Sequence, residues 1–463
     1  MQLNNSRRDM SETQDVRHQA KVSELLADYI PPRDTWNPAD EALYQPADPY
    51  RVSLEEAQDM QLKAIKFTFT RHYRNNDFYH RYCEMRDMTP DDIKTNDNLD
   101  KIPLIPDIVF KQHPSGKDLA YWIVGIFTGD LPNIVVEGAN PTFDDIVNAF
   151  NTEGLAVMYT SGTSGRFSVI PRDMKTFRAA EYALAKSRAS MVAQNDGHVL
   201  LLFPNPARTN LFIGRVSSLS YDLFGDVRYA VDSAITAEVT QKAMSGNERL
   251  NGRTPSSVQS EMQQKIVDKT VQWLERYEKT EESIRLGGPP FMLVLVMNAL
   301  QKDGKRFDFG ERGNVLTAGG WKIHENARLP HADFRKQVQD VLGIPEARCL
   351  DLYGLCESNG FMMQCPEGHY LHAPYTYLKP LVLDDALMPV GYGEWGRFAF
   401  LDALAQSYPG FIISGDRVRL LERCPVCDRP GPVFEPEVHR AKGEEVRGCA
   451  EELRRILGQD LVE

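Results

Sequence analysis

Short apolar runs with the composition of buried strands alternate with helical stretches along most of this chain of 463 residues. Leu155–Met158 and His198–Phe203 are two such runs, and Met174–Gln194 between them carries apolar residues at helical spacing. The side chains of a strand repeat with a period of 2.0 residues and those of a helix with a period of about 3.6, so the two patterns indicate different elements. Strands that alternate with helices predict an α/β fold. Further runs of strand type are Ile134–Val136 and Val315–Ala318, and Val267–Tyr277 is a further helical stretch.

Composition and charge narrow the class of protein. A hydrophobic fraction of 42% and a charged fraction of 25% are typical of a soluble globular protein, and the length favours two or three domains. The net charge of −12 argues against a general nucleic-acid binder. Phe291–Leu300 is too short to span a membrane, and the polar N-terminus leads into no signal peptide. Seven cysteines, an odd number, fit a reducing compartment, so we expect a cytoplasmic protein.

The chain is expected to begin with a polar extension. Residues 1–52 are rich in charged residues and proline, and we predict a short helix around Val22–Tyr29 followed by an irregular arm. From Ser53 the sequence Ser-Leu-Glu-Glu is typical of a capped helix start, and an amphipathic pattern continues to about Met85. The predicted organisation is the extension at 1–52, a core domain at 53–420 and a C-terminal segment at 421–463.

A loop of hydroxyl and glycine residues follows the strand-like run at 155–158. Its sequence is Thr160-Ser161-Gly162-Thr163-Ser164-Gly165-Arg166. Glycines let the backbone approach a ligand closely, and hydroxyls and an arginine add hydrogen-bond donors, so this loop can wrap a polyphosphate. It is not the Walker sequence, because no Gly-Lys-Ser/Thr ends it. A polar hairpin turn between two strands is the alternative interpretation.

Three later polar clusters also follow strand-like runs. Open α/β sheets bind ligands at the carboxyl ends of their strands, so residues in this position are candidates for a binding site. The clusters are Thr317-Ala318-Gly319-Gly320-Trp321-Lys322, Leu350–Ser358 with the sequence Leu-Asp-Leu-Tyr-Gly-Leu-Cys-Glu-Ser, and Phe411–Val418 with the sequence Phe-Ile-Ile-Ser-Gly-Asp-Arg-Val.

Taken in this order, the loop and the three clusters resemble the motifs of the adenylate-forming enzymes, the superfamily of acyl-CoA ligases and peptide-synthetase adenylation domains. That superfamily carries a Thr-Ser-Gly-Thr-type loop, a Tyr-Gly-x-x-Glu element, here Tyr353–Glu357, and a later Gly-Asp, here Gly415-Asp416. The chain is most similar to the acyl-protein synthetases of bacterial bioluminescence operons and to phenylacetate-CoA-ligase-like proteins. The segments that carry this closer resemblance are His72–Tyr79, Ile102–Pro106, Phe110-Lys111, Gly319–Lys322 and Lys442–Cys449.

The resemblance implies both a fold and a reaction. The fold is a large N-terminal α/β domain with mixed sheets flanked by helices. Only 47 residues follow Asp416, so the small C-terminal domain of the acyl-CoA ligases is missing or much reduced. The reaction is that of an AMP-forming acid–thiol ligase, in which ATP activates a carboxylic acid as an acyl-adenylate and the acyl group then passes to a thiol.

In the superfamily, the loop that matches Thr160–Gly165 holds the β- and γ-phosphates of ATP, and the resemblance implies that Arg166 assists it. The common loop carries a lysine after a proline, whereas this chain has Arg166-Phe167-Ser168. Because the lysine is missing, the sequence does not show which side chain would contact the phosphates.

The remaining nucleotide contacts are implied by the same resemblance. Tyr353, followed by Gly354, would pack its ring against adenine, and Asp416 would accept hydrogen bonds from both ribose hydroxyls. Glu357 would bind Mg²⁺ as a hard oxygen ligand and thereby take part in catalysis. The structural alternatives are that Tyr353 is a core residue, that Asp416 is an ordinary turn residue, and that Glu357 is an acidic residue favoured at a helix N-terminus.

Gly319 and Gly320 would line the acyl pocket, because residues without side chains admit a chain close to the backbone. Lys322 is a candidate catalytic residue that would reach the carboxylate or a phosphate. The alternative for Lys322 is a solvated side chain. No pattern of serine and histidine suggests a serine nucleophile.

Two segments contain residues of the types that bind zinc. Cys424 and Cys427 form a Cys-x-x-Cys pair, and Cys365 and His372 lie just after the Glu357 element. Two cysteines with two more soft ligands make a tetrahedral zinc set. Some phenylacetate-CoA-ligase-like relatives carry a structural zinc in this region. We predict Cys365, His372, Cys424 and Cys427 as ligands, with His369 as a substitute for His372. Free cysteines in two turns are the alternative.

The C-terminal segment contains Cys449 in the sequence Arg447-Gly448-Cys449. The bioluminescence synthetases are acylated on a cysteine near their C-terminus, and Cys449 matches that position. Neighbouring arginines would lower the pKa of the thiol, which favours the nucleophilic thiolate. The alternative is a packing residue of a short amphipathic helix at Ala450–Leu457.

Three further interpretations stay open from the sequence. Instead of Cys449, an external thiol would accept the acyl group. This thiol would be that of coenzyme A, as in the phenylacetate-CoA ligases, or that of a carrier-protein arm. A separate acyl-accepting protein is a further candidate partner. A catalytically silent protein of the same fold, which binds ligands or acts as a scaffold, is the interpretation from another class. The identity of the carboxylic acid does not follow from the sequence.

Overall fold

The structure, a computed structural model, describes residues 24–160, 167–192, 197–219, 223, 226–238, 255–441, 453, 456 and 457. For residues 255–259, 322 and 323 it describes the backbone alone. Within these ranges the chain forms a mixed sheet flanked by helices, as predicted.

The described strands form one large sheet and a separate hairpin. The strands are β1 (Ile105–Pro106), β2 (Leu155–Tyr159), β3 (Val169–Asp173), β4 (His198–Pro204), β5 (Asp226–Val231), β6 (Ile284–Gly288), β7 (Gly313–Ala318), β8 (Cys349–Tyr353), β9 (Met362–Gln364), β10 (Leu371–His372), β11 (Leu378–Leu383), β12 (Trp395–Asp402), β13 (Phe411–Leu421), β14 (Val433–Phe434) and β15 (His439–Arg440).

The helices cover the sheet and connect its strands. The described α-helices are α1 (Pro38–Tyr44), α2 (Leu54–Asn75), α3 (Asp77–Glu84), α4 (Ile108–Lys111), α5 (Asp118–Ile126), α6 (Phe143–Thr152), α7 (Met174–Met191), α8 (Phe212–Val216), α9 (Pro255–Tyr277), α10 (Pro290–Lys302) and α11 (His331–Leu342).

The large sheet has 13 strands and two halves. In one half β5, β4, β6, β7 and β8 lie side by side in this order, and all neighbours are parallel. In the other half β8, β9, β10, β14, β13, β12 and β11 follow one another with antiparallel pairing. Strand β1 pairs with β13 in parallel and β15 pairs with it antiparallel, while β2 and β3 form the separate hairpin.

The long strand β13 changes partners along its length. Its residues Phe411–Arg419 lie opposite β12, whereas Leu420 and Leu421 lie opposite β14. The register with β12 shifts between the pairs Arg397–Arg417 and Ala399–Ile413, where β13 contains two extra residues, as in a β-bulge, which increases the local twist. Asp416 belongs to this irregular part of β13 and lines a cavity that the parallel strands also line.

The parallel half is buried on both faces. In β4, Val199, Leu201 and Phe203 belong to one core, and Leu200 and Leu202 belong to another. Strands covered on both sides have continuous apolar sequences, which explains why this segment shows no alternation with polar residues. Helices α2 and α7 contribute to the first core and helices α9 to α11 to the second.

The predicted amphipathic stretch from Ser53 to Met85 is two helices. Ser53 caps α2 as predicted, because its side chain accepts a hydrogen bond from the backbone N–H of Glu56. Asn76 ends α2 in an extended conformation with φ −137° and caps α3 by accepting from the N–H of Tyr79. Its side chain also donates to the carbonyl of Phe127 at 3.1 Å, which fixes the bend between the helices.

The N-terminal region contains more structure than the sequence predicted. The arm after Tyr29 is not irregular throughout, because α1 begins with a capping box between Asn37 and Asp40. Ala39, Ala42 and Leu43 of this helix are fully buried in the first core. The division at 52/53 and 420/421 stays a prediction.

Two further expectations differ from the structure. Ile134–Val136 is not a strand, and Val135 is 64% exposed, because this segment lies beside no other strand of the described residues. Helix α9 begins at Pro255, twelve residues before the predicted start at Val267. Proline is favoured at the first helical position, because no intrahelical hydrogen bond is lost there. The helix can therefore begin at Pro255, and it includes the polar residues ahead of Val267. Among the described helices, none combines the length and apolarity that crossing a membrane requires.

Candidate active site

A cavity of about 850 Å³ opens at the carboxyl ends of the parallel strands. The ends of β4, β6, β7 and β8 line it, and β13 contributes Asp416 from the antiparallel half. Ligands of open α/β sheets bind at this edge, because the strand ends and the loops that follow them form a crevice there. The predicted residues that the structure brings together here are Thr160, Gly319, Gly320, Tyr353, Gly354, Glu357 and Asp416.

Glu357 lies in the turn after β8 and is almost completely buried. The hydroxyl of Ser168 donates a hydrogen bond to its Oε1 atom. Burial raises the pKa of Glu357, and the ammonium group of Lys111 opposes this shift. Lys111 favours the ionised form of this carboxyl group, and an ionised carboxylate that lines a cavity offers hard oxygen ligands to a metal ion.

Lys111 is the cation that faces Glu357. It forms an ion pair with Asp107, which lies one turn earlier at the start of α4. Burial alone would lower the pKa of Lys111, but the carboxylates of Asp107 and Glu357 raise it above the ordinary value. The side chain is therefore charged at neutral pH, and Asp107, Lys111 and Glu357 all line the cavity.

Asp416 is held by two side chains. Tyr353 at the end of β8 donates its hydroxyl hydrogen bond to Oδ2 at 2.7 Å, and Arg440 of β15 lies 2.9 Å from Oδ1. Asp416 and Arg440 are directly opposite each other in the β13–β15 pair. Burial, followed by the charge of Asp416, raises the pKa of Tyr353 well above its ordinary value, so the phenol stays a donor.

The glycines after β7 have backbone conformations that other residues rarely adopt. Gly319 has φ +85° and Gly320 has φ +62°. A Cβ atom on Gly320 would contact nothing within 4 Å, so the left-handed backbone, rather than lack of space, requires glycine at this position. Lys322 begins a 3-10 helix after this turn, and its side chain lies outside the described part of the structure.

The predicted phosphate loop is described at its two ends. Thr160 and Ser168 are joined by two hydrogen bonds, from the N–H of Thr160 to the carbonyl of Ser168 at 3.1 Å and from the N–H of Ser168 to the Thr160 hydroxyl at 3.0 Å. These bonds bring the two ends of the loop together. The ends lie beside Glu357, because Ser168 hydrogen-bonds to Thr160 and also to Glu357. The predicted residues Ser161, Gly162, Thr163, Ser164, Gly165 and Arg166 lie outside the described residues.

The rest of the cavity is largely apolar and aromatic. The rings of Phe212 and Phe361 lie parallel at 6.2 Å, and Phe291 stacks on His324 at 4.5 Å. An apolar region next to a charged one fits a molecule with both characters. Other apolar side chains of this region are Leu202, Phe203, Leu211, Ile266 and Met292.

The sequence did not identify four polar residues of the site. Asp107, Lys111, Ser168 and Arg440 were assigned no role, although Lys111 was part of the segment Phe110-Lys111 that carries the family resemblance. The spacing of four between Asp107 and Lys111 is a readable signal, because residues i and i+4 of a helix lie on one face. Nothing in the sequence places Ser168 beside Glu357, which is 189 residues later.

The four predicted zinc ligands form a separate cluster. The ligand atoms of Cys365, His372, Cys424 and Cys427 all lie within 4.8 Å of one another, and Nε2 of His372 is 3.4 Å from Sγ of Cys427. Three thiols and one imidazole form a donor set that suits a tetrahedral zinc ion. His369, the predicted substitute, instead donates from Nε2 to the carbonyl of Glu346 at 3.0 Å.

Cys449 lies outside the described residues, and the tail is described at Leu453, Ile456 and Leu457. These three residues are helical and buried, and Leu457 packs next to Gly125 of α5. They anchor the chain four residues after Cys449.

The described cysteines outside the cluster of Cys365, Cys424 and Cys427 are poor nucleophiles. Cys356 lines the cavity next to Glu357, but burial raises the pKa of its thiol far above the ordinary value. Burial also raises the pKa of Cys83 to about 12 and that of Cys349 further. A thiol with a raised pKa is protonated at neutral pH and therefore attacks slowly.

A protein-family model described as "Acyl-protein synthetase, LuxE" matches residues 37–119 and 130–458. A long-chain-fatty-acid–luciferin-component ligase of Aliivibrio fischeri is 25% identical over 420 residues, which is 89% of this chain and 93% of the relative. The protein of the same name from Vibrio harveyi is 23% identical over 406 residues, covering 87% of this chain and 89% of the relative.

Solved structures share the fold. A 2-hydroxyisobutyryl-CoA ligase in an open conformation, in complex with 2-HIB-AMP and CoA, superimposes with a TM-score of 0.55 over 86% of this chain and 80% of that one, at 13% identity. The same ligase in its thioesterification state gives a TM-score of 0.54 over 89% and 72% at 14% identity.

The family match spans both the cavity and the cluster of three cysteines and His372, and the structural likeness confirms the predicted adenylate-forming fold. The chain therefore belongs to the LuxE acyl-protein synthetase family, and it is a ligase that activates a carboxylic acid with ATP and passes the acyl group to a thiol.

Proposed function

We propose that the cavity at the end of β7 and β8 binds ATP and an apolar carboxylic acid together. A carboxylate oxygen of the acid attacks the α-phosphorus of ATP, pyrophosphate leaves, and the sulfur of a thiol then attacks the acyl carbon of the adenylate and releases AMP. The observation that carries this proposal is the convergence of Thr160, Tyr353, Glu357 and Asp416, from three separate sequence motifs, on one cavity.

The nucleoside would bind at Tyr353 and Asp416. The tyrosine ring would pack on adenine next to Gly354, and Asp416 would accept the ribose hydroxyls. Its two oxygens already accept from Tyr353 and Arg440, but a carboxylate has about four acceptor positions, so room for the ribose remains. The existing bonds would hold the carboxylate in a fixed orientation before ATP arrives.

The phosphates would bind at the opposite end, with Thr160, Ser161, Gly162, Thr163, Ser164, Gly165 and Arg166 around the β- and γ-phosphates. Glu357 would hold Mg²⁺, which neutralises phosphate charge. Lys111 supports this assignment, because a charged ammonium group in the cavity is a second source of positive potential for two anions that must meet.

The acid would occupy the apolar part of the cavity. The stacked rings of Phe212 and Phe361 and the neighbouring Phe291 favour an acyl chain without charge. The turn at Gly319 and Gly320 would border this chain, and Lys322 would approach its carboxylate. The names of the curated relatives include long-chain fatty acids, which supports an acid of that class.

The thiol that receives the acyl group would be Cys449. The chain is anchored on both sides of it, because the N–H of Ala441 donates to the carbonyl of Gly415 at 3.0 Å and Leu453 is buried. Gly415 is next to Asp416 in the cavity, and eight residues extend at most about 28 Å, so the length of chain after Ala441 would allow Cys449 to reach the adenylate. Coenzyme A and a carrier-protein arm are the competing acceptors.

Cys365, His372, Cys424 and Cys427 would hold a structural zinc ion. Such an ion would fasten the β9–β10 hairpin to the segment between β13 and β14, and both flank the active-site strands. Zinc-bound thiolates and an acyl-accepting thiol both need reduced cysteines, which supports a cytoplasmic location.

Acid-dependent exchange of labelled pyrophosphate into ATP tests the first step. We expect Mg²⁺-dependent exchange with fatty acids of increasing length and none without acid. Glu357→Gln should abolish most of the exchange, because the amide keeps the shape and removes the charge. Absence of exchange with any acid of a broad panel would contradict the proposal and favour a silent scaffold.

A further inference from the structure

Arg172 of β3 is fully buried, yet it forms no ion pair with a carboxylate of the described residues. Removing a charge from water is costly, and an apolar side chain of the same size is often more stable in such a position. A buried arginine that lacks a carboxylate partner therefore calls for a role other than stabilising the core.

The guanidinium group holds the carbonyls on either side of Glu357. Its Nη2 donates to the carbonyl of Cys356 at 2.5 Å and lies 3.4 Å from that of Ser358. Its Nε donates to Oδ1 of Asn359 at 2.7 Å. The rings of Phe212 and Tyr408 lie 4.8 and 5.1 Å from the guanidinium carbon, so the cation is also stabilised by aromatic faces.

Asp402 holds the amides of the same turn. It accepts from the N–H of Asn359 at 2.5 Å and from that of Gly360 at 3.3 Å, and the hydroxyl of Ser358 lies 3.2 Å away. A cation thus binds the carbonyls of the turn while an anion binds its amides. The two buried charges thus interact with backbone dipoles and neutral side chains of the turn rather than with each other, and Nη1 of Arg172 has no hydrogen-bond partner among the described residues.

Tyr408 connects this arrangement to Glu357. Its hydroxyl accepts from Nη2 of Arg172 at 3.1 Å and donates to the carbonyl of Glu357 at 3.0 Å. The turn 356–360 is therefore held by three side chains from distant parts of the sequence, and Glu357 is the one residue of the turn whose carboxyl group faces the cavity cation Lys111.

We infer that Arg172 is a positioning residue for the metal-binding carboxylate: through the backbone of the turn 356–360 it fixes Glu357 in the orientation that binds Mg²⁺. Asp402 and Tyr408 are its partners in this task. The inference rests on the proposed function, because it gives Glu357 the role of Mg²⁺ ligand. Arg172 itself does not line the cavity.

The test is the Mg²⁺ dependence of pyrophosphate exchange in Arg172→Lys. Lysine keeps the charge but has no planar set of donors for two carbonyls and an amide oxygen. The Mg²⁺ concentration for half-maximal exchange should rise about tenfold or more, as expected for loss of an outer-shell partner, and saturating Mg²⁺ should restore much of the rate. Arg285→Lys is the control, a buried arginine on β6 that does not line the cavity.

A second variant applies if Arg172→Lys does not fold. Tyr408→Phe removes the hydrogen bond to the Glu357 carbonyl and the one accepted from Arg172, and it should shift the Mg²⁺ dependence in the same direction by a smaller factor. Tyr79→Phe is its matched control, because the Tyr79 hydroxyl also donates to a buried carbonyl, that of Pro103 at 2.7 Å. A purely structural role predicts a lower melting temperature with an unchanged Mg²⁺ midpoint, and this result overturns the inference.

The outcome for Glu357→Gln separates this inference from the proposed function. If that variant reaches half-maximal exchange at the same Mg²⁺ concentration as the wild type, Glu357 is not the Mg²⁺ ligand, and this part of the proposed function is wrong. If Glu357→Gln shifts the midpoint while Arg172→Lys and Tyr408→Phe leave it unchanged, only the positioning role is overturned.

Discussion

The hydroxyl of Tyr353 donates a hydrogen bond to Oδ2 of Asp416 at 2.7 Å and thereby joins the end of β8 to β13. These residues belong to the two halves of the large sheet and lie 63 positions apart in the sequence. Both were expected to contact the nucleoside, but not each other. The bond means that the tyrosine ring and the carboxylate that we propose to bind ribose would be positioned as one unit.

Removing this bond should weaken ATP binding. Tyr353→Phe keeps the ring for adenine and loses the donor, so we expect the KM for ATP in pyrophosphate exchange to rise about tenfold, equivalent to roughly 1.4 kcal/mol, with a smaller change in kcat. The control is Tyr82→Phe, whose hydroxyl donates to the carbonyl of Leu104 away from the cavity. An unchanged KM in Tyr353→Phe would show that the bond does not orient Asp416.

Lys111 should contribute to the rate through its charge. Lys111→Met keeps the length of the side chain but removes the ammonium group that pairs with Asp107 and lies close to Glu357, so we expect exchange to fall by about a hundredfold. Lys63→Met is the matched control, because Lys63 forms the same i, i+4 ion pair with Asp59 on the exposed surface of α2. Equal exchange rates for the two variants would exclude an electrostatic role of Lys111.

The cluster of Cys365, His372, Cys424 and Cys427 should contain about one zinc ion per chain. Elemental analysis of purified protein checks the content, and Cys424→Ser should lower both the content and the melting temperature. Cys349→Ser, at a buried thiol on β8, should leave the zinc content unchanged. Wild-type protein that contains no zinc under reducing conditions would contradict the assignment.

Cys449 should carry the acyl group. Mass spectrometry of protein incubated with ATP, Mg²⁺ and an acid should detect a thioester on Cys449, and Cys449→Ser should remove the thioester while pyrophosphate exchange continues. Cys356→Ser is the control for a cysteine that lies in the cavity with a raised pKa. Full acylation of Cys449→Ser would exclude the assignment, and rapid transfer to added coenzyme A would identify that acceptor instead.

His72 should make folding sensitive to acid. Its ring is buried, Nε2 donates to the carbonyl of Ala405 at 2.8 Å, and Nδ1 lies 2.9 Å from the Thr128 hydroxyl, so the ring is neutral in the folded state. Burial lowers the pKa of His72 to about 3. The unfolded chain binds a proton near pH 6.5 and the folded chain does not, so the contribution to stability is present above that pH and is lost as the pH falls toward about 3.

The free energy of unfolding measures this effect. Between pH 6.5 and about 4, His72 should contribute a slope of up to about 1.4 kcal/mol per pH unit, which His72→Gln should lack. Urea unfolding of both proteins at several pH values provides the comparison. Equal slopes for the wild type and the variant would contradict a neutral buried His72.

The sequence prediction and the structure agree on which residues lie together at the strand ends, while the roles of these residues stay a prediction. Tyr353, Glu357 and Asp416 each follow an apolar run, and the fold brings all three to one cavity. The zinc set was predicted from residue types and short spacings, and the structure places the four ligand atoms together. Such local patterns are readable because the chemistry depends on the residues themselves.

By itself, then, the sequence determined the alternation of strands and helices, the motifs at the strand ends and the family. Only the tertiary structure decided that Ser168 and Lys111 contact or face Glu357, that Arg440 pairs with Asp416, and that Arg172 holds the turn beneath the proposed metal ligand. The reason is physical: these partners come from remote elements of the chain, so their contacts depend on sheet order and on the register shift between β12 and β13, which no local pattern of side chains encodes.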